Sequence, residues 1–122
     1  MNRWALLKHE IYKNEIYDIH YDFLIENGKD CLTWKISNLP EIDGIAVEIK
    51  EHFNHRLIWL STESKVLTNN RGFVQRVDYG TFINLERNLN KERFSLILKG
   101  NAINAILKKT GSFCRLFSLN NK

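Results

Sequence analysis

The chain has 122 residues, of which 43% are apolar and 26% are charged. This length and composition exclude a disordered or membrane-spanning protein and predict a single soluble domain. The net charge of +4 permits an anionic partner without requiring one. Because no apolar run approaches about 20 residues and the N-terminus lacks a signal-peptide pattern, we expect a cytoplasmic protein with no membrane partner. Cys31 and Cys114 are expected to be reduced thiols rather than a disulfide.

The first predicted strand covers residues 16–26, where apolar and polar residues alternate. In a strand of this register, Tyr21 and Phe23 lie on the apolar face, while His20 and Asp22 lie side by side on the other. Residues two apart on one face are about 6–7 Å apart along the strand. This distance allows an imidazole and a carboxylate to contact one metal ion.

The rest of the chain predicts further short strands at 31–36, 44–50, 56–61, 72–82, 93–99, 104–109 and 112–119. The sequence Asn27-Gly28-Lys29-Asp30 is typical of a tight hairpin turn. Residues 62–71 are expected to be a polar loop, and residues 84–93 either a helical turn or a solvated loop. About seven or eight strands with little helix predict an all-β fold, a small closed or nearly closed β-barrel spanning residues 1–122 as one domain. We expect His20 and Asp22 on its inner wall.

The four histidines, His9, His20, His52 and His55, are the main candidates for chemistry. His52 follows the predicted strand 44–50, and strand ends are common positions for catalytic or phosphate-binding groups. Spacing alone leaves a structural interpretation open as well. His20 and Asp22 also fit an exposed polar sheet face, and His52 and His55 also fit a polar loop tip.

Several short motifs occur in the order found in the 3′-phosphoesterase domain of bacterial DNA ligase D. They are Lys8-His9, His20-Tyr21-Asp22-Phe23, Thr33-Trp34, Glu51-His52-Phe53, and the segments 77–82 and 96–109. The chain resembles this family over nearly its whole length. The resemblance implies a small β-barrel hydrolase that binds a divalent metal, manganese, and trims 3′-phosphates or 3′-terminal ribonucleotides in DNA repair.

The resemblance also implies roles for individual residues. His9, His20 and Asp22 would hold the metal, with His20 and Asp22 taking part in catalysis through it, and His52 would be a catalytic and phosphate-binding group. Two neutral imidazoles and one carboxylate suit a divalent transition metal. The separation of His9 from His20 is longer than in the family, so either a bulge or a longer loop returns His9 to the ion, or this ligand is missing. The implied partners are 3′ ends of DNA or DNA/RNA primer–templates and a separate ligase or polymerase.

The chain departs from the family at positions that bind phosphate there. Leu24 stands in place of a family arginine, Asn38 stands near a family lysine, and Arg56 stands in place of a family tyrosine. We expect Arg56 and Arg76, or else Arg71, to supply the missing positive charge. Two further functions stay open: a catalytically weakened relative that binds nucleic-acid ends without turnover, and a non-enzymatic protein-interaction barrel.

Overall fold

The computed structural model describes residues 2–68 and 71–119. Nine strands form one antiparallel sheet: β1 (Arg3–Lys13), β2 (Ile16–Asn27), β3 (Asp30–Ile36), β4 (Val47–Arg56), β5 (Ser64–Val66), β6 (Phe73–Asn84), β7 (Arg93–Gly100), β8 (Asn104–Thr110) and β9 (Phe113–Ser118). Their order is β1-β2-β3-β4-β9-β8-β7-β6-β5, and β1 also pairs with β6. Eight strands therefore form a near-ring, with β5 outside it.

The ring is weakest between β4 and β9, where only two residue pairs join the strands among the residues described, Val47 with Cys114 and Glu48 with Phe113. The prediction of an all-β, nearly closed fold with little helix is confirmed. The helical structure in the described part of the chain is a 3₁₀ helix at Leu57–Leu60. No helix within the described ranges has the length and apolar character needed to cross a membrane.

Two predicted elements differ from the structure. The predicted strand 56–61 is wrong, because its main part is the 3₁₀ helix, whose three-residue turn directs both Leu57 and Leu60 toward the sheet. The predicted loop 62–71 contains strand β5, and its residues 69 and 70 lie outside the described residues. Residues 85–92 form a loop, which is one of the two alternatives expected for the segment 84–93.

Strand β1 was not predicted from the sequence. Its Trp4 and Leu6 pack into the interior of the ring, while Ala5 and Leu7 pack into a second apolar cluster on the outer face. Because residues 4–7 of this strand are buried on both faces, this part of it is continuously apolar and shows no alternation of apolar and polar positions.

The interior of the ring is filled by side chains from all eight ring strands. Phe23 lies at its centre, with ring centroids 6.1 Å from Trp4, 5.9 Å from Trp34 and 6.5 Å from Phe94. Phe23 and Ile25 face this core, as the alternation in residues 16–26 predicts. His20 and Asp22 consequently point to the opposite side, so the expectation that they lie on the inner wall is wrong.

The outer face of β1, β2 and β3 carries the second apolar cluster, formed by Ala5, Leu7, Leu24, Cys31, Leu60 and Val74. The segment 57–67 covers this cluster, with Leu57, Trp59 and Leu67 packed against it. This covering segment leaves a groove beside it on the same outer face, and His20 and Asp22 line that groove. The excursion between β4 and β6 is therefore what creates a cleft at these two residues.

Asp78, in the motif 77–82, has a structural role. Its carboxylate accepts hydrogen bonds from the backbone N–H groups of Tyr79, Asn101, Ala102 and Ile103, at 2.7–3.1 Å. These bonds fix the loop between β7 and β8. A side chain on the neighbouring Gly80 would collide with the backbone of β7, which explains the glycine two positions after the aspartate.

Both cysteines are buried and free, as predicted. Burial is the main reason that the pKa of each thiol, Cys31 and Cys114, is raised to about 11. A thiol with such a pKa is almost entirely protonated at neutral pH, so neither cysteine offers a thiolate for catalysis.

Candidate metal centre and its groove

The hairpin of β1 and β2 brings the first histidine to the second. Lys13 pairs with Ile16 across a two-residue turn in which Asn14 and Glu15 have φ of 53° and 63°. This register places His9 directly opposite His20. The long separation between the two histidines is therefore absorbed by a regular hairpin, and the expected bulge or extended loop is not needed in this hairpin.

The side chains of His9, His20 and Asp22 converge. His9 Nδ1 lies 3.2 Å from His20 Nε2, and His20 Nε2 lies 3.4 Å from Asp22 Oδ1. All three ligand atoms lie within 4.8 Å of one another. Two ligands that are each about 2.1 Å from one ion at an angle near 90–110° are about 3.0–3.4 Å apart. The two shorter separations thus match those of neighbouring ligands on a shared ion.

A hydrogen bond at His9 Nε2 determines which tautomer the neutral His9 ring adopts. His9 Nε2 donates a hydrogen bond to the backbone carbonyl oxygen of Arg71, at 2.7 Å. A neutral imidazole carries one proton, so Nδ1 keeps a lone pair directed toward His20 and Asp22. Metal-binding histidines commonly donate their other N–H to a carbonyl in this way, because the bond orients the ring and makes the ligand more basic.

Asp22 provides an independent indication of a bound cation. Its Oδ1 is buried and has no hydrogen-bond partner among the described residues. It faces His20 Nε2 at 3.4 Å, which is an ion pair only when His20 is protonated, and buried charges are normally paired or coordinate a metal. Because this oxygen faces the two imidazoles, the three residues fit a divalent ion in both chemistry and spacing.

A groove of about 660 Å³ surrounds these three residues, and all four histidines of the chain line it. Its lining includes five lysine or arginine residues, whereas Asp22 is the acidic residue among the described residues that line it. The five cations are Lys13, Lys35, Arg56, Lys65 and Arg71. A concave surface with this excess of positive charge attracts anions such as phosphates.

The arginines that were predicted to bind phosphate lie in different places in the structure. Arg56 lines the groove, and so does Arg71, which was the alternative. Arg76 is not among the described residues that line it. Its guanidinium lies 3.7 Å from the ring centre of Tyr79, and its Nη2 is 3.6 Å from Glu63 Oε1.

Lys35 is a groove residue that sequence reasoning missed. The turn after Asn27 sets the register of β2 and β3, so Lys35 lies directly opposite Asp22, and opposed residues share a sheet face. The alternation of residues 31–36 together with the predicted turn contained this information. Leu24, in contrast, is fully buried in the second apolar cluster and does not face phosphate.

A β-bulge in β4 turns His52 and His55 to the same face. His52 pairs with Thr33 and His55 pairs with Cys31, so two residues of β4 oppose one residue of β3. Regular alternation would have put the two histidines on opposite faces. Both lie within β4, so the interpretation of a polar loop tip is wrong.

His52 is held in its neutral form. Partial burial lowers its pKa, and the positive charge of Lys35 lowers it further, while Asp22 acts weakly in the opposite sense. Both leading effects disfavour the imidazolium. At neutral pH, His52 therefore offers one N–H donor and one unprotonated nitrogen in the groove.

Comparison with known proteins adds no assignment for this groove. No protein-family model and no curated protein matches the sequence. The function of the groove is therefore argued from its residues, their distances and their charges, together with the order of the motifs.

Proposed function

We propose that this protein is a metal-dependent phosphoesterase that removes a phosphate or a ribonucleotide from the 3′ end of a nucleic acid, with manganese as its metal. The observation that carries the proposal is the convergence of His9, His20 and Asp22, whose ligand atoms all lie within 4.8 Å of one another and two of whose separations, 3.2 and 3.4 Å, match those of neighbouring ligands on one ion. The cation-rich groove and the order of the sequence motifs support a phosphorylated nucleic-acid end as the substrate.

His9, His20 and Asp22 would hold the ion as a set of two imidazoles and one carboxylate. Three protein ligands leave coordination positions for a phosphate oxygen and a water molecule. When bound, a divalent ion would withdraw charge from the phosphoryl group and lower the pKa of a water molecule. The donor set also suits zinc or iron, and manganese is proposed from the motif resemblance alone.

Lys35 and Arg56 are proposed to bind the phosphate. Lys35 lies next to Asp22 across the sheet, so its ammonium group is available to a phosphate that contacts the same ion. Arg56 lines the groove at the end of β4 and can form paired hydrogen bonds to phosphate oxygens. These two cations replace the arginine and the lysine that the family has and this chain lacks.

His52 is proposed to move the proton. In its neutral form it accepts a proton from the attacking water as the water oxygen bonds to phosphorus. The bond between phosphorus and the 3′ oxygen breaks, and the same proton is returned to that oxygen as the new 3′-hydroxyl. Phosphate, or the terminal ribonucleotide with its 5′-phosphate, leaves as the second product, and water is the co-reactant, so no oxidant is required.

The two other functions make different predictions about the same groove. A binding protein without turnover would use the cations and the metal ligands but release no phosphate. An interaction barrel would not bind a metal at all. Asp22 Oδ1 is buried, accepts no hydrogen bond from the described residues and faces His20 Nε2 at 3.4 Å. This arrangement favours the functions with a metal, because an ion held by both groups would satisfy the buried carboxylate.

Phosphate release tests the proposal. An oligonucleotide with a 3′-phosphate, and a second with a 3′-terminal ribonucleotide, are incubated with the protein and manganese, and with a chelator as control. We expect release that depends on manganese and is abolished by His20→Ala and by Asp22→Ala. Asp18→Ala is the matched control, since Asp18 is an exposed carboxylate of the same strand that is outside the described lining of the groove.

Each other outcome identifies an alternative. Oligonucleotide binding without release in the wild-type protein would overturn the phosphoesterase proposal in favour of the binding protein. Absence of both metal binding and oligonucleotide binding would leave the interaction barrel. Release that survives both His20→Ala and Asp22→Ala would show that the metal centre is not where we place it.

A further inference from the structure

Three aromatic rings line the groove beside the proposed metal centre. Phe53 and His55 are stacked, with ring centroids 5.1 Å apart and planes inclined by 8°, and Trp59 meets His55 edge-on at 6.3 Å. We call Phe53, His55 and Trp59 the aromatic platform. All three rings line the same groove as the metal ligands.

Phe53 is largely exposed. Its side chain is 70% exposed although it lies within a strand, in the bulge that also turns His52 and His55 into the groove. Bulges often re-aim side chains near functional sites. An exposed phenyl ring in a cationic groove adds nothing to the core, so its surface is available to a ligand with an apolar face.

The platform is combined with positive charge. Lys65 Nζ lies 5.6 Å from the ring centre of Trp59, and Arg56 follows His55 directly along β4. Aromatic rings set in a positively charged groove are the arrangement by which proteins bind single-stranded nucleic acids, because bases stack on the rings while the cations contact phosphates.

We propose that the aromatic platform stacks on an unpaired base near the 3′ end of the nucleic acid, so that the groove selects single-stranded or frayed ends over blunt, paired ends. This inference rests on the proposed function, because the 3′ end held by the aromatic platform is the end that reaches the metal centre. A paired base is stacked on its neighbours and hydrogen-bonded to its partner, so its face is not free to meet Phe53.

His52 connects the platform to the metal centre. Its ring centroid is 4.1 Å from that of Phe53, and it lines the same groove as the three proposed metal ligands. The groove therefore brings the aromatic platform, His52 and the proposed metal ligands onto one surface. The groove volume of about 660 Å³ falls within the range of about 300–1,000 Å³ that is typical of sites for small molecules, the size class of a nucleotide.

Binding can be measured without catalysis. Fluorescence anisotropy in a chelator-containing buffer compares three labelled probes: a single-stranded oligonucleotide, the same oligonucleotide with its last three nucleotides abasic, and a hairpin with a blunt 3′ end. We expect the wild-type protein to bind the single strand about tenfold more tightly than either other probe. Phe53→Ala should remove this preference, and Phe53→Trp should preserve it.

Phe113→Ala is the matched control, since Phe113 is 53% exposed on β9 and is outside the described lining of the groove. Equal wild-type affinity for the base-bearing and abasic probes, or an unchanged preference in Phe53→Ala, would overturn the platform. Base preference without phosphate release would support the platform while refuting the phosphoesterase. Phosphate release without base preference would refute the platform alone.

Discussion

Replacing Lys35 tests the proposed roles of two groove residues, Lys35 and His52, in one experiment. Lys35→Met keeps the long aliphatic side chain and removes only the ammonium group. The structure gives this ammonium two effects: it adds positive charge beside Asp22, and it lowers the pKa of His52. The substitution should therefore change both the rate of phosphate release and the ionisation of His52.

The expected loss of activity in Lys35→Met follows from the removal of one fixed positive charge beside the phosphate. A group that stabilises developing negative charge typically contributes about 2–4 kcal/mol to the transition state, so activity should fall about 30- to 1,000-fold. The pKa of His52 should rise, because a nearby cation that disfavoured its imidazolium has been removed. The acid limb of the pH–rate profile, where His52 becomes protonated and can no longer accept a proton, should consequently move to higher pH.

Proton NMR titration of the histidine rings measures the pKa, and phosphate release across pH 5–8 measures the rate. Lys99→Met serves as the control, since Lys99 is an exposed lysine of β7 that is outside the described lining of the groove. A pKa of His52 that stays unchanged in Lys35→Met would refute the proposed electrostatic coupling. Unchanged activity would refute the phosphate-binding role of Lys35.

Three further predictions concern stability and metal binding. Leu24→Arg buries an unpaired charge in the second apolar cluster. It should therefore lower the free energy of unfolding, measured by urea denaturation, by at least about 4 kcal/mol without raising activity. A stable and more active variant would contradict the burial of Leu24 in this cluster. Asp78→Ala should cost about 3–5 kcal/mol in the same assay, because four backbone N–H groups lose their acceptor, and a cost below about 1 kcal/mol would contradict its structural role. Manganese at a hundred times its Kd should raise the free energy of unfolding by about 2.7 kcal/mol, which corresponds to a Tm increase of about 10 °C for a chain of 122 residues. A Tm increase that persists in Asp22→Ala would contradict the ligand set.

The sequence predicts strands well where one face is buried. Residues 16–26 alternate because Phe23 and Ile25 face the ring interior, and Gly28 accepts the positive φ of the turn that follows. Strand β1 is not predicted by this alternation, because residues 4–7 of the strand are buried on both faces. The segment at Leu57 also escapes it, because a short apolar run is compatible with either a strand or a 3₁₀ helix until its packing is known.

The candidate site was partly predictable for similar reasons. The pairing of His20 with Asp22 follows from strand alternation, and the opposition of Lys35 to Asp22 follows from the length of the turn. The position of His9 depends on the exact register of a hairpin whose turn, Asn14-Glu15, contains no glycine to mark it. The joint placement of His52 and His55 depends on a bulge, which reverses alternation and has no signal in a single sequence.

The most direct test of the metal centre is a crystal structure of the protein with manganese, measured at a wavelength where manganese scatters anomalously. The geometry predicts one anomalous peak about 2.2 Å from His9 Nδ1, His20 Nε2 and Asp22 Oδ1, with His9 Nε2 still bonded to the carbonyl of Arg71. A peak elsewhere, or no peak at saturating manganese, would contradict the assignment of these three residues as ligands.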